Sequence, residues 1–475
     1  MFDKKRKKVL KVLFESYKKI PDKAYAVGGF PRDLLLGKHE FHDIDVVVFG
    51  DYKEFARILS SELKGSSIVD IEKYKIVRIF YKNLIIDVCA PKDRDLISDL
   101  KSRDFTIDTL VIPLENILDP INNIMDPLDI GKEDLKLHLL RTPVHPAITL
   151  KDDPGRIVRT ARFIAEGFTP EQKLIEESRR RVRSLTMVPK ERIGEELRKI
   201  FLAKKPSAGL FFLREIGFFE VLFPRIVPAL YKDQKSPYHF EGVFEHCARV
   251  TDLTPPDIIL RLSAFFHDIG KAYAEKQLPD GRTVYWGHEF ISADICRDFL
   301  STFKFPENER EKIIFIVKNH MVYYSSSWSD TAVRRLIKRL QPHIEDVLDF
   351  IYYDIKALKD PAKSLQGLDE LKQRIKNEII KLGKSEIKSP LDGNEIQEIF
   401  GLSEGKIIGK IKSAIENAII EGNIKSTKED AINFVRSILP QILQEQKTEQ
   451  KQEKTQSEAK SKQKSKKQIN LKNNI

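Results

Sequence analysis

The spacing of apolar residues divides the chain into a mixed N-terminal part and a long helical part. Four short apolar segments predict strands: AYAVGG, DIDVVVF, YKIVRIF and NLIIDVCA. Apolar residues recur at helical spacing from Lys8 to Lys19, and in almost every segment from Asp153 to about Leu439, with PSAGL, SPYH and LPDGR as breaks. We therefore predict an α+β head, with a mixed sheet and helices, followed by an all-α body.

A chain of 475 residues is too long for one hydrophobic core, so we predict several domains. The segment after about Gln444 is rich in Lys and Gln and has no apolar positions to bury, which predicts disorder. The predicted domains are the head (1–138), a helical neck (139–228), a helical domain with most of the central histidines (229–362), a helical tail (363–441) and the disordered end (442–475).

The charge of the chain favours a polyanionic partner. Charged residues make up 32% of the sequence and the formal net charge is +11, which suits nucleic acid, although a solvated lysine-rich surface would give the same value. The three cysteines lie far apart with no CxxC spacing, so neither a disulfide framework nor a cysteine zinc site is expected. Neither a signal peptide nor a membrane-spanning run is predicted, and we expect a cytoplasmic protein.

Two aspartates stand inside the apolar strand DIDVVVF. Residues two apart on a strand face the same side, so Asp43 and Asp45 point together. Two close carboxylates repel each other unless a cation lies between them, and oxygen ligands suit Mg²⁺ shared with a triphosphate. Two such ions can activate a hydroxyl and stabilise a leaving pyrophosphate. We predict Asp43 and Asp45 as catalytic Mg²⁺ ligands, with Asp87 of LIIDVCA as a candidate third carboxylate.

The residues before this strand favour that chemistry over a strand end that simply faces solvent. Gly28 and Gly29 would let the backbone approach a phosphate closely. A helix that opens near Arg32 would direct amide groups and a guanidinium at the same phosphate. The pattern GGxxRDxLLG followed by DxD therefore predicts a nucleoside triphosphate site.

The segment GGFPRDLLLG…DIDVV resembles the signature of the bacterial-type (class II) tRNA nucleotidyltransferases and poly(A) polymerases. The resemblance continues in order from residue 22 to about residue 435. Further matching segments are Arg103-Asp104-Phe105-Thr106, DPLDIGKEDL (Asp126 to Leu135), DDPGRIVRTARF (Asp152 to Phe163), VPKERIGEELRKIF and SPLDGNEIQEIFGLSEGKIIGK. It implies addition of C and A from CTP and ATP, without a template, to the 3′ end of tRNA bound at its acceptor stem and elbow, with Mg²⁺ in the head.

The resemblance also implies roles for the matching side chains. The implied nucleotide-binding residues are Gly28, Gly29 and Arg32 for the triphosphate, Arg103 and Asp104 for the ribose, Asp153 and Arg156 for the base, and in addition Asp33, Arg159 and Arg162.

The pair Asp153 and Arg156 has a chemical logic of its own. At i and i+3 on one helix the two side chains would be neighbours. Asp accepts from an exocyclic amine and Arg donates to the adjacent ring nitrogen, an edge that cytosine and adenine share. The alternative is that Asp153 caps a helix whose first residue is Pro154, and that Arg156 and Arg159 are surface charges.

The chain departs from the family pattern at several positions. Ser102 replaces the first Arg of the RRDFTxNA segment, Asp108-Thr109 replaces Asn-Ala, and Asp152 stands where Glu is usual. The interval from Asp87 to Arg103 is short, whereas in full CCA-adding members a longer flexible loop acts there as a lever when specificity switches from CTP to ATP. Partial addition of CC or of A, and poly(A) synthesis, therefore remain alternatives.

A second chemistry is predicted from histidines in the helical part. His246, His267-Asp268, His288, His320 and Asp354 occur in the order H…HD…H…H…D, which resembles the HD phosphohydrolase superfamily. Imidazole with carboxylate suits Mn²⁺, Fe²⁺, Ni²⁺ or Zn²⁺, or Mg²⁺ as the resemblance allows. We expect His267 and Asp268 to be neighbours on a helix and Lys271 to bind a phosphate oxygen.

With this second site the protein would act as a phosphohydrolase on RNA 3′ ends. His239 fits no ligand position. The alternatives are scattered polar histidines, a phosphohydrolase whose head only binds RNA, or a protein that only binds RNA.

Other segments carry weaker signals. Arginine clusters at 179–183 and at 334–339, with Arg192 and Arg198, predict phosphate contacts or solvated faces. Gly405 and Gly409 would serve either a backbone phosphate or tight helix packing. The aromatic run FFLREIGFF is predicted to be core.

Overall fold

The computed structural model describes residues 2–233, 242–382 and 386–444. It divides into two compact units, Met1–Val317 and a second unit that begins at Lys318. This division falls inside the predicted histidine-rich domain, and the five predicted domain boundaries stay predictions. His239, the SPYH segment and nearly all of the predicted disordered end lie outside the described residues.

A six-stranded mixed sheet forms the head, as predicted. Its spatial order is β3-β4-β5-β2-β1-β6; β2 and β5 pair in parallel and the other neighbours pair antiparallel. Four of its strands are those that the apolar segments predict. The strands are β1 Ala24–Val27, β2 Asp43–Val48, β3 Ser67–Ile71, β4 Ile76–Tyr81, β5 Leu84–Cys89 and β6 Val111–Pro113.

Helices cover one face of this sheet. Alternate residues of β2 (Ile44, Val46, Val48) are buried there, together with apolar residues of the helices α1 and α3. The predicted first helix begins at Lys4, earlier than expected, because the Asp3 side chain accepts from the Arg6 amide and caps it. The head helices are α1 Lys4–Tyr17, α2 Gly29–Leu35, α3 Tyr52–Glu62, α4 Leu96–Lys101 and α5 Gly131–Lys136.

The rest of the first unit is mostly helical, with two short strand pairs. PSAGL was expected to break a helix but begins one, since Pro206 occupies the first turn, where no amide donor is needed. LPDGR is a turn between two short strands. The elements are β7 Leu139–Leu140, α6 Pro146–Asp152, α7 Arg156–Glu166, β8 Thr169–Pro170, α8 Gln172–Arg181, α9 Lys190–Leu202, α10 Pro206–Glu215, α11 Phe218–Leu222, α12 Val227–Leu230, α13 Val243–Leu253, α14 Ile258–Phe266, α15 Lys271–Ala274, β9 Lys276–Gln277, β10 Thr283–Val284, α16 His288–Thr302 and α17 Glu307–Asn319.

The aromatic run is core, as predicted, with Phe212, Phe218 and Phe219 buried. All regular secondary structure in the described residues of the second unit is helical, and its core includes Val333 and Ile337. Its helices are α18 Asp330–Leu340, α19 Ile344–Lys356, α20 Ala362–Leu382, α21 Gly393–Phe400, α22 Lys406–Glu421 and a helix over residues 428–444. Within the described ranges, no helix combines the length and apolar character needed to cross a membrane.

Candidate active site

Three carboxylates meet on the face of the head sheet opposite the helices that cover it. Asp43 and Asp45 are the first and third residues of β2, and Ile44 between them is buried on the helix-covered face. In the parallel pairing of β2 with β5, Asp45 is the direct partner of Asp87. Asp43 is exposed, and Asp45 and Asp87 are partly buried. Strand alternation and register thus bring the three predicted acids together.

The charge of this cluster is not balanced by the protein alone. Burial raises the pKa of Asp45 to about 6, and repulsion from Asp87 and Asp43 adds to the rise, although Arg103 opposes it. A further positive charge would therefore stabilise the ionised form of Asp45. An all-oxygen cluster with this shortage is the donor set that Mg²⁺ prefers, so the residues fit the predicted ion.

Gly28 forms a wall of this site, on the side of β1. It has a φ of 73° and precedes α2, and a side chain there would come 3.2 Å from Asp45 Oδ2 and 3.3 Å from Arg103 Nη1. Both the backbone conformation and the space therefore favour glycine. Arg103 is held loosely by Asp99, with 3.7 Å between Nη2 and Oδ2. The predicted ribose-contacting arginine is thus beside the predicted metal ligands.

Arg32 is paired within the protein. Its guanidinium is buried and bonds Asp108, with 2.5 Å between Nη1 and Oδ1, and Asp33, with 2.9 Å between Nη2 and Oδ1. Burial would lower its pKa, but Asp108 and Asp33 together raise it. Asp108 is one of the departures from the family pattern, which has Asn there. The sequence did not predict this pair, because it joins residues 76 positions apart.

The predicted ribose residue Asp104 is also paired. It is buried, and Arg159 Nη2 lies 2.9 Å from its Oδ2 and 3.8 Å from the Oδ2 of Asp108. Burial opposes ionisation of Asp104, but Arg159, Arg156 and Arg162 outweigh it and lower the pKa. Arg159 is therefore part of an internal charge network and not a simple surface charge.

The geometry predicted for Asp153 and Arg156 is wrong in this structure. α6 ends at Asp152 and Asp153 is its C-cap, whereas α7 begins at Arg156 and not at Pro154, and the intervening residues form a turn. The two side chains therefore do not share one helix face. The Asp153 carboxylate accepts from the Gly155 amide at 3.0 Å and forms a two-pronged ion pair with Arg192, which sequence reasoning had assigned to a basic surface.

Arg156 is buried rather than a surface charge. It donates to the carbonyl oxygens of Thr149, at 3.1 Å, and Ser102, at 2.8 Å, and so ties α7 to the segment before Arg103. Its predicted role in reading the base stays a prediction.

The other arginines proposed for nucleic acid mostly form ion pairs with acids of the same chain. Arg162 is buried and lies 3.4 Å from Glu166 and 3.3 Å from Glu196. The further pairs are Arg179–Glu215, Arg180–Glu177, Arg181–Glu177, Arg198–Glu309, Arg334–Glu378 and Arg335–Glu421. Arg179, Arg180 and Arg335 are more than half exposed in these pairs, so the predicted choice between phosphate contacts and solvated faces stays open.

Gly405 and Gly409 are not tightly packed against any residue that the structure describes. A Cβ atom at either position would meet no described residue within 4 Å.

Arg78 is a site residue that sequence reasoning missed. On β4 it is the register partner of Asp87 and binds both of its carboxylate oxygens, from Nε at 2.8 Å and from Nη2 at 2.7 Å. The sequence contains a signal for this role. Arg78 is a charged residue within the apolar strand YKIVRIF, so its side chain is expected on the face of the sheet that is not buried.

A second cluster lies in the helical part of the first unit. Around Asp268 stand His288, with Nε2 3.1 Å from Oδ1, His267, with Nε2 3.2 Å from Oδ2, and His246, with Nε2 3.7 Å from Oδ2. Lys271 Nζ lies 2.6 Å from Asp268 Oδ2. The first unit thus brings together four of the six predicted HD ligands. His320, beside Phe350 with 6.1 Å between ring centroids, and Asp354 on α19 belong to the second unit.

Backbone bonds orient two of these imidazoles. His267 Nδ1 lies 2.8 Å from the Ala264 carbonyl and His288 Nδ1 lies 2.7 Å from the Tyr285 carbonyl, so each ring directs Nε2 at Asp268. The expectation that His267 and Asp268 share a helix is wrong, since α14 ends at Phe266 and both follow in a turn. Although burial opposes it, His267 and Lys271 hold the pKa of Asp268 well below its usual range. Three imidazoles and a carboxylate fit a transition metal.

Known proteins resemble this chain in sequence. Three family models match in order: the poly A polymerase head domain over residues 24–141, the probable RNA and SrmB-binding site of polymerase A over residues 167–230, and the putative tRNA nucleotidyltransferase domain 2 over residues 285–435. The chain is 27% identical over 431 residues to the A-adding tRNA nucleotidyltransferase of Deinococcus radiodurans, covering 88% of this chain and 95% of that one. It is also 27% identical over 427 residues to the CC-adding tRNA nucleotidyltransferase of Thermus thermophilus, covering 87% and 93%.

Solved structures share the fold. The Bacillus stearothermophilus CCA-adding enzyme in complex with CTP matches with a TM-score of 0.63 at 19% identity, covering 95% of this chain and 100% of that one. The Thermotoga maritima CCA-adding enzyme complexed with tRNA matches with a TM-score of 0.53 at 22% identity, covering 92% and 96%. Fold and head define a nucleotidyltransferase, a class that generally uses a divalent metal ion such as Mg²⁺. The chain belongs to the family of class II tRNA nucleotidyltransferases and poly(A) polymerases.

Proposed function

We propose that the protein extends the 3′ end of tRNA with C and A, taken from CTP and ATP without a template. The observation that carries this proposal is the meeting of Asp43, Asp45 and Asp87 on one sheet face beside Gly28 and Arg103. The 3′ hydroxyl of the RNA attacks the α-phosphorus of the nucleotide, a P–O bond forms, and the bond to pyrophosphate breaks. The hydroxyl proton leaves to solvent or a nearby base.

In this proposal the head carboxylates would hold Mg²⁺. When bound, Mg²⁺ lowers the pKa of the attacking hydroxyl and neutralises charge on the phosphates. Gly28 and Gly29 would allow the phosphates to approach the backbone, Arg103 and Asp104 would bind the ribose, and Asp153 with Arg156 would read the base. Since Arg156 is buried and Asp153 is paired with Arg192, base reading requires these pairs to rearrange.

Addition of CC alone is a second candidate, and one observation favours it. The short interval after β5 is fixed by local hydrogen bonds: the Lys92 amide donates to Asp99 at 2.8 Å, and Asp95 caps α4 through the Ser98 amide at 2.9 Å. Such a segment offers little length for a lever that switches specificity.

Product length tests both candidates. The purified protein is given tRNA that ends at the discriminator base, with CTP alone, ATP alone or both. Extension by CCA with both nucleotides supports the main proposal, extension by CC with no further A supports the second, long A tails indicate poly(A) synthesis, and no incorporation overturns the proposed function.

We propose further that the cluster around Asp268 binds a transition metal and hydrolyses phosphoesters at RNA 3′ ends. His246, His267, Asp268 and His288 would be ligands, and the roles predicted for His320 and Asp354 of the second unit stay predictions. A bound metal would activate water for hydrolysis. Metal analysis of the purified protein and of His267→Ala, together with release of phosphate from RNA ending in a 3′-phosphate, tests this activity. Location in the cytoplasm stays a prediction.

A further inference from the structure

The sheet face that carries the carboxylates continues beyond them as an exposed surface. The register places Asp43, Ile85, Phe80 and Ser67 in one row across β2, β5, β4 and β3. Phe80 is 38% exposed, and Val69 on β3, in the neighbouring row, is 48% exposed. The alternate residues of β4 are buried beneath α3, so these exposed side chains are not part of the core.

The next row combines charge with this apolar surface. Asp45, Asp87, Arg78 and Val69 are successive register partners. Arg78 uses Nε and Nη2 to bind Asp87, and no described residue bonds its Nη1 atom. Its side chain is 39% exposed. A guanidinium nitrogen is therefore available to an anion on this face, one strand beyond Asp87.

In-line displacement determines which substrate approaches from this side. The proposed triphosphate site is on the β1 side of Asp45, where Gly28 and Arg103 lie. The attacking oxygen must approach the α-phosphorus from the side opposite the leaving pyrophosphate. The hydroxyl therefore approaches over β5, and the nucleotide that bears it lies over β5 and β4.

We propose that the exposed face of β4 and β5 is the subsite for the 3′-terminal nucleotide of the RNA, a step that rests on the proposed function. Phe80 stacks on the unpaired terminal base, because aromatic rings accept any base on their faces. Arg78 Nη1 contacts the adjacent phosphate while its other nitrogens hold Asp87 in place. Phe80 lies two strands from Asp43, or roughly 10 Å, which matches the reach from a base to its own 3′ hydroxyl.

Substitution of Phe80 tests the subsite. Phe80→Ala raises the KM for tRNA about tenfold, the loss expected for one stacked base, and leaves the KM for CTP unchanged. Phe80→Trp retains the wild-type KM for tRNA because it retains the stacking surface. The matched control is Leu118→Ala, which removes a 53% exposed apolar side chain that lies beside α1, away from this face.

A binding measurement without nucleotide separates this proposal from the proposed function. A tRNA that carries 2-aminopurine at its 3′ end loses fluorescence on binding wild type and Phe80→Trp, and retains it on Phe80→Ala. If wild type incorporates nucleotides but Phe80→Ala keeps both the KM and the quenching, the subsite is wrong and the function stands. If wild type incorporates none, the function fails, and the fluorescence alone decides whether RNA binds this face.

Discussion

The head cluster (Asp43, Asp45 and Asp87) and the helical cluster of the first unit (His246, His267, Asp268 and His288) both contain acids, but they balance negative charge in opposite ways. The pKa of Asp45 is raised to about 6 because its carboxylate is buried, and repulsion from Asp87 and Asp43 adds to the rise. Burial opposes ionisation of Asp268, but its pKa is lowered because His267 and Lys271 supply positive charge and His267 and His288 supply hydrogen bonds. An external cation would therefore stabilise the ionised head cluster, whereas the helical cluster carries its own counter-charge.

The largest expected effect separates the two clusters by activity. Asp43→Asn and Asp45→Asn each remove an oxygen ligand of the proposed metal, and nucleotide incorporation falls about 1,000-fold or more. His267→Ala leaves incorporation unchanged, since it alters only the helical cluster. The measurement is single-turnover addition of radiolabelled CTP to tRNA. Full incorporation by Asp45→Asn would place the chemistry outside the head, as would loss of incorporation in His267→Ala.

The next effect is on stability, and its sign differs between the clusters. In metal-free buffer at pH 8, Asp268→Asn lowers the free energy of unfolding by about 2–4 kcal/mol, because Lys271 and the imidazoles lose their partner. Asp45→Asn raises it by about 1–2 kcal/mol, because an ionised, crowded carboxylate is replaced by a neutral group. Urea unfolding measures both changes. Asp43→Asn is the control, because Asp43 is exposed and its substitution should raise the free energy of unfolding by less.

The increase in the free energy of unfolding that we expect from Asp45→Asn depends on pH. The pKa of Asp45 is about 6 in the folded protein and ordinarily 3.8. Between pH 3.8 and 6 the folded state therefore binds a proton that the unfolded state does not. The penalty that Asp45 imposes on wild type is present above pH 6 and disappears below about pH 4. A stability difference that persisted at pH 3.5 would show that the substitution acts through packing and not through charge.

The same pKa predicts the pH dependence of catalysis. The cation binds the ionised carboxylate, so at low Mg²⁺ concentration incorporation falls as the pH drops below about 6, and is about tenfold lower at pH 5. Higher Mg²⁺ moves this midpoint downward, because metal binding displaces the proton. Rates at two Mg²⁺ concentrations from pH 5 to 8 measure the shift. A midpoint that does not respond to Mg²⁺ would exclude Asp45 as the titrating ligand.

These two clusters also show how far sequence reasoning reaches. The head acids were predictable because strand alternation fixes which side Asp43 and Asp45 face, and because the strands themselves are strongly apolar. The partners of Arg32 and Asp153 were not, because Asp108 and Arg192 are distant in sequence and meet only through tertiary packing. The turn at Pro154-Gly155 was missed because Pro is equally suited to the first turn of a helix.

The smallest expected effect concerns Asp108, which stands where the family pattern has Asn. Asp108 neutralises Arg32 beside Gly29, so Asp108→Asn leaves more of the positive charge of Arg32 for the triphosphate. We expect the KM for CTP to fall about fivefold, or ~1 kcal/mol, with the KM for tRNA unchanged. The same substitution lowers the free energy of unfolding by about 1–2 kcal/mol, because Arg32 and Arg159 lose a buried partner.

Thr109→Ala is the matched control, since it removes a buried hydrogen bond to the Thr106 carbonyl without changing charge. Tighter nucleotide binding in a less stable protein would identify Asp108 as the residue that limits Arg32, whereas an unchanged or higher KM for CTP would show that Arg32 does not contact the triphosphate.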